Sequence, residues 1–200
     1  MYKFDCAKCP NKCDGKSKGN YDFESDVEFS EGYERSLIKD IKARGFWAKK
    51  TQKKQYPDIE IYDREGGKLI GWLEVKAQRR TFMNVCERLP KADLMPSETV
   101  ALNRSDLEHY IIQSKTETAP IYLAWVLTDR PCVTEGTAIF FNSLSELEKI
   151  FDSCGNKRKF TRRSGKGDVV DGEHRGVLVN YHFSLDELQP FNIDDFLKSL

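Results

Sequence analysis

The chain has 200 residues, of which 39% are hydrophobic and 32% charged, and its formal net charge is +0. That length and balance fit one domain with room for a small appendage, and they exclude a mostly disordered chain. No apolar run is long enough to span a bilayer, and the opening MYKFDCAKCP has no apolar signal-peptide core. The expectation is a cytoplasmic protein with no membrane partner. Its 6 cysteines would then stay reduced and act as metal ligands, redox groups or core residues.

Residues 1–20 lack periodicity and hold Cys6, Cys9 and Cys13 close together, which reads as a small knuckle or arm. Residues 21–34 carry acids and no base. Ser30 is placed to cap a helix over EGYERSLIKDIKARGF, with Tyr33, Leu37, Ile38 and Ile41 as its apolar stripe and Gly45 at its end. FWAKKTQKKQ is a lysine-rich strand or loop. Tyr56 to Gln78 reads as two strands and a tight turn, and residues 79–102 as loop with short helical pieces. SDLEHYIIQSK is a helix, with Ser105 and Glu108 at capping-box spacing and Leu107, Tyr110 and Ile111 inward. APIYLAWVLTD is a central strand buried on both faces. TAIFFN is a strand, SLSELEKIF a helix and GNKRKFTRRSGKGD a basic loop. RGVLVNYHFS is a further strand, and short helices close the chain. The order predicts an α/β fold of the α+β kind, a mixed sheet flanked by helices. The predicted organisation is an arm over 1–20 and a domain over 21–200, with a core at about 30–130 and an extension over 131–200.

The hairpin carries the chemistry. Side chains alternate along a strand, so Ile59 and Ile61 oppose Asp58, Glu60 and Tyr62. In the second strand Leu69, Leu73, Val75 and Ala77 point to the core, while Trp72, Glu74, Lys76 and Gln78 share the other face. A three-residue loop at Glu65–Gly67 pairs Arg64 with Lys68, and counting back sets Asp58 opposite Glu74. Directly opposed Cβ atoms lie about 4.5–5.5 Å apart. Two carboxylates at that range repel unless a cation sits between them. Mg²⁺ suits one or two carboxylates with retained waters and phosphate oxygens, and Lys76 would stand beside it. The bland alternative is a solvated strand face with a cross-strand ion pair.

Pro57-Asp58, a spacer, then Glu74-Val75-Lys76 resembles the PD-(D/E)XK nuclease superfamily, which includes restriction endonucleases and archaeal-type Holliday-junction resolvases. The resemblance covers roughly residues 30 to 130. It implies a restriction-endonuclease-like core: a helix, a hairpin, a second helix and a last strand. By the same resemblance Asp58 and Glu74 are metal carboxylates, with the Val75 carbonyl beside them, and Lys76 is the catalytic lysine. Glu34 corresponds to the helix acid of the metal shell, and Gln78 to the extra polar residue some members carry. The implied activity is Mg²⁺- or Mn²⁺-dependent hydrolysis of DNA phosphodiesters, in a class whose members often pair as homodimers. The alternative is a non-catalytic nucleic-acid-binding or protein-interaction module on the same fold.

Bases are segregated along the chain. Lys42 to Lys54 holds bases without an acid, as does Lys157 to Lys166. Lys49, Lys50, Lys53, Lys54, Arg79, Arg80, Arg162 and Arg163 are therefore candidate contacts to a phosphate backbone. No base-reading motif accompanies them. Cys6 and Cys9 have the C-x₂-C spacing of a metal site, and Cys13 can reach the same ion. Cys132, Cys154, Cys86, His174 or one of the other histidines would supply the fourth ligand. Zinc is the first choice for that structural site, with a 4Fe–4S cluster as competitor. Cluster-bearing relatives of the superfamily place one cysteine before the core and three after it, unlike this chain. His109 lies on a helix and is not expected to be catalytic, and His174 and His182 fall in or near the C-terminal strand region. No Cys–His or Ser–His pair and no phosphate-binding P-loop is evident.

Overall fold

The acid-rich stretch ahead of Ser30 is helical in the computed structural model: α1 runs Phe23–Ala43. The structure describes residues 23–79, 81–128, 130, 132–134, 136–162, 168–170, 172–174, 176 and 178–200. The expected cap at Ser30 is thus inside the helix, where its hydroxyl donates to the Val75 carbonyl at 3.4 Å. The early turns escaped the periodicity because their inward face meets a cleft, through Val27, Ser30 and Glu34. One turn further on, the same face becomes apolar, and Leu37 and Ile41 are buried. Gly45 follows at φ +87°, the left-handed conformation that glycine adopts without strain.

The lysine-rich segment supplies strand β1, Trp47–Lys50, which pairs antiparallel with β2, Ile59–Tyr62. The hairpin continues into β3, Leu69–Gln78. Ile59 pairs with Leu73 and Ile61 with Gly71, but Tyr62 pairs with Leu69, so Ile70 bulges. The turn is not the expected three-residue loop. Asp63 N–H bonds Lys68 O, and Gly67 N–H bonds Arg64 O, which closes a four-residue turn with Gly66 at φ +67°. The extra turn residue and the bulge cancel, and Asp58 still falls opposite Glu74. The bulge also turns Leu69 to the side of Trp72, while Ile70 packs with Ile59 and Ile61.

Residues 79–102 hold the short helix α2, Val85–Arg88, and a 3₁₀ turn at Pro96–Glu98, then an unexpected strand β4, Thr99–Asn103. Helix α3, Arg104–Ser114, is capped by Asn103, whose Oδ1 accepts from Ser105 N–H, and not by Ser105. After it come β5, Ile121–Leu127, β6, Ala138–Ser143, and α4, Leu144–Cys154. The basic stretch expected as loop contains β7, Lys159–Thr161. The chain ends with β8, Val169–Val170, β9, Glu173–His174, β10, Val179–Ser184, β11, Gln189–Pro190, and α5, Ile193–Lys198.

Among the described residues the main sheet runs β1-β2-β3-β5-β6-β11, with β3 and β5 parallel and the other pairs antiparallel. The fold is thus a mixed sheet flanked by helices, as expected. Helices α1 and α5 cover one face over Ile59, Ile61, Leu73, Val75, Ala124 and Val126. The other face, Trp72, Leu123, Trp125 and Leu127, is covered by α3, α4 and a second sheet ordered β4-β10-β7. Strand β5 is buried on both faces, which its continuous apolar run requires. The face of β3 that was to carry the site is mostly closed in too: Trp72 is fully buried and Glu74 is 2% exposed. No helix among the described residues is long and apolar enough to cross a membrane.

Candidate active site

Asp58 stands one residue ahead of β2, where its carbonyl accepts from Thr51 N–H at 2.8 Å. Its Oδ2 accepts from Val75 N–H at 2.9 Å, which ties it to β3 beside Glu74. Glu74 is held on both oxygens. Oε2 accepts from the Tyr110 hydroxyl at 2.7 Å, and Oε1 lies 2.5 Å from Lys76 Nζ. Lys76 Nζ also lies 3.7 Å from Asp106 Oδ2, in the first turn of α3. Asn103 Nδ2 donates to the other Asp106 oxygen at 3.2 Å.

The electrostatics follow from crowding acids in a semi-enclosed space. Burial and then the charge of Glu74 push Asp58 up to about 8, against the opposing pull of Lys76 and the Val75 N–H. Burial alone would depress the Lys76 ammonium. The charges of Glu74, Asp58 and Asp106 outweigh it and hold Lys76 above its usual range, although 35% of its side chain reaches solvent. Burial also raises Asp106, with Lys76 opposing.

Glu34 reaches the same place from α1. It is 5% exposed, and its Oε2 makes no hydrogen bond but lies 3.1 Å from Lys50 Nζ. Lys50 is shared with Glu31 Oε1 at 2.7 Å, and that hydrogen bond is the main reason its ammonium is held above the usual range. These groups floor a cleft of about 430 Å³ between α1 and the second sheet. Glu34, Asp58, Lys76 and Asp106 lie within it, and Arg162 and Asn180 on the wall opposite α1.

The sequence reading and the structure part in several places. Gln78 lines the cleft, but its amide is spent on β4. Oε1 accepts from Ala101 N–H at 3.1 Å and Nε2 donates to Thr99 O at 3.5 Å. It bridges the two sheets like one more backbone pairing. Trp125 Nε1, donating to Ala101 O at 2.9 Å, and Arg130 Nη1, donating to Thr99 O at 2.9 Å, reinforce that join. Glu60, on the Asp58 side of its strand, is buried in a separate network with Thr51, Tyr62 and Lys49. Among the basic candidates, Lys49 pairs with Glu60, and Lys53 lies over the Tyr56 and Trp72 rings. Lys54 is exposed, and Arg79 stacks on Phe29 with 4.8 Å to the ring centroid. Arg162 pairs with the buried Asp168. Arg80 and Arg163 lie outside the described residues, as do Cys6, Cys9 and Cys13 and with them the arm proposed for zinc or a cluster. Cys86, Cys132 and Cys154 form no disulfide among the described residues. His109 is exposed, and His182 is buried with Nδ1 3.2 Å from Arg158 O.

Asp106 and the polar use of Tyr110 were not foreseen. An acid in a first helical turn reads as a partner of the helix dipole, and Tyr110 reads as core. Only the packing of α3 across β3 brings the two, four residues apart on one helix face, onto Lys76 and Glu74.

Among the described residues no three His, Cys, Asp or Glu side chains converge to form a metal site by themselves. Two carboxylates are what Mg²⁺ ordinarily takes from a protein. The raised Asp58, beside the charge of Glu74, fits a place for a cation.

No protein-family model matches the chain, and no curated protein sequence matches it. Among solved structures it is similar to Hjc, a Holliday junction resolvase of Archaeoglobus fulgidus, at 14% identity and a TM-score of 0.44. The match covers 85% of this chain and 96% of that one. A likeness of that order concerns chain path and says nothing of which side chains act.

Proposed function

We propose that the chain is a divalent-metal-dependent nuclease that hydrolyses DNA phosphodiester bonds in the cleft between α1 and the second sheet. One observation carries this reading. Asp58 lines the cleft floor with Lys76, and Glu74 is buried just beneath, so that burial and like charge push Asp58 up to about 8. Such an arrangement costs stability and is relieved by a bound cation.

Asp58, Glu74 and the Val75 carbonyl would hold Mg²⁺ or Mn²⁺, with Glu34 reaching it through water. When bound, the ion supplies Lewis acidity and a water of lowered pKa. The chain's own groups do the rest. The Val75 N–H and the Tyr110 hydroxyl fix the two carboxylates from opposite sides. Lys76, with Glu74, Asp58 and Asp106 around it, is held above its usual range and would act as a cation. It stabilises the negative charge that grows on the phosphate oxygens. Lys50 offsets Glu31 and Glu34, which would otherwise repel a polyanion. Lys54, exposed at the surface, would contact the DNA backbone, and Arg162, held by Asp168 on the far wall, would add positive charge there.

The test is cleavage of end-labelled single-stranded, duplex and branched DNA, with RNA in parallel, in Mg²⁺, Mn²⁺ or EDTA. Wild type is expected to cut DNA only with metal, and folded Asp58→Ala and Lys76→Ala variants to lose cutting. Cleavage that persists in folded Lys76→Ala, or a folded wild type that cuts nothing, overturns the reading.

A further inference from the structure

Each Glu74 oxygen already has a partner. Oε2 takes the Tyr110 hydroxyl at 2.7 Å, and Oε1 takes the Lys76 ammonium at 2.5 Å. The Lys76 ammonium, that close to Oε1, repels a divalent ion approaching the same oxygen, so it must draw back when the ion binds. A half-buried ammonium that leaves one anion must find another, because an unpaired charge in such a place is costly. The second anion is already present. Asp106 Oδ2 lies 3.7 Å from Lys76 Nζ, too far for a hydrogen bond and near enough to receive one after a small swing of a long side chain. Asp106 is aimed for it. Asn103 Nδ2 holds Oδ1 at 3.2 Å, and Asn103 is itself fixed as the cap of α3.

We infer that Asp106 is a positioning residue that receives the Lys76 ammonium when Glu74 Oε1 turns to a divalent ion. The lysine then keeps both its charge and its place beside the phosphate. Nothing in the Glu74-Val75-Lys76 pattern names Asp106, which enters from another element. The inference rests on the reading of Asp58 and Glu74 as a cation-holding pair. The plain structural role of Asp106, accepting from Asn103 at the start of α3, survives in an asparagine. The ion pair does not.

The experiment measures Mn²⁺ binding to the full chain by calorimetry or electron paramagnetic resonance, with cleavage kinetics alongside. Asp106→Asn is expected to fold with an unchanged melting temperature and to bind Mn²⁺ roughly tenfold more weakly, the usual cost of losing a group that supports a metal ligand. Its kcat should fall with KM held, and Asp106→Glu should recover most of both losses. In a Lys76→Met background, Asp106→Asn should change Mn²⁺ affinity by less than about twofold, since coupled residues act as one. Wild-type Mn²⁺ affinity in Asp106→Asn overturns the inference. So does an undiminished loss in the Lys76→Met background, which would make Asp106 act on the ion directly. A wild type that binds no Mn²⁺ and cuts nothing fails the nuclease reading itself.

Discussion

The Tyr110 hydroxyl donates to Glu74 Oε2 at 2.7 Å, joining α3 to β3 beneath the cleft floor. Both partners are almost fully buried, at 5% and 2% exposure, so the bond is made in a poor solvent for the charge it serves. Tyr110→Phe keeps the ring's packing and removes only the donor. It is expected to cost about 1.5–3 kcal/mol, the range for hydrogen bonds to charged groups. The loss should show in urea unfolding and be accompanied by weaker Mn²⁺ binding. An unchanged unfolding midpoint would mean that solvent replaces the hydroxyl and that the bond is incidental.

Asp58 presents the opposite case, a group whose removal should stabilise the metal-free protein. Its folded pKa is raised to about 8 by burial and by Glu74, well above its value of 3.8. The native state therefore binds more protons than the unfolded state between those values. The contribution is favourable below about pH 4 and is lost as pH rises through 8. Asp58→Asn keeps an oxygen for the Val75 N–H and deletes the charge. In EDTA at pH 8 it should gain at least about 1 kcal/mol, or roughly 2–4 °C in Tm, while losing metal-dependent cleavage. A destabilised Asp58→Asn would show that the two carboxylates are not in conflict.

Much of the site was legible because a strand's period is simple and a hairpin's register propagates. Ile59, Ile61, Leu73 and Val75 pack where alternation put them. Asp58 came out opposite Glu74 even with the wrong turn, because the missed turn residue was offset by the bulge at Ile70. What stayed hidden depends on distant partners. The five residues of β4 find their partner in β10, where Thr99 pairs with Ser184. The first turns of α1 present Ser30 and Glu34 to a cleft, so no apolar stripe marks them. Gln78 matched a motif position, yet its amide is taken by the main chain of β4, which the motif does not describe.

His182 is expected to make the fold sensitive to mild acid. It is 3% exposed, next to Phe82 and Phe160, with Arg158 as the charged group facing it. Burial is the largest influence and lowers its pKa to about 4, below the usual 6.5. Between those values the unfolded state binds the extra proton. Stability from this group is thus complete above about pH 6.5 and declines as pH falls toward 4. His182→Phe carries a constant offset from the lost bond to Arg158 O but no titration. The stability gap between wild type and variant should shift by about 2–3 kcal/mol across that window. A gap that does not move with pH would place the acid sensitivity elsewhere.

Gln78 separates a structural latch from a reacting group. Its amide satisfies Ala101 N–H and Thr99 O, and these are the strand that forms the cleft wall. Gln78→Leu leaves Ala101 N–H without its acceptor, while Thr99 O keeps Arg130 Nη1, at a cost of about 1–3 kcal/mol. The melting temperature should fall accordingly. Cleavage assayed well below the melting point should persist, reduced by no more than about tenfold, because a wall loosened by that energy still closes most of the time. Lys76→Ala, with the same wall intact, should lose cleavage altogether. If folded Gln78→Leu proves as inactive as Lys76→Ala, the amide acts on the substrate, and its bond to β4 must break during turnover.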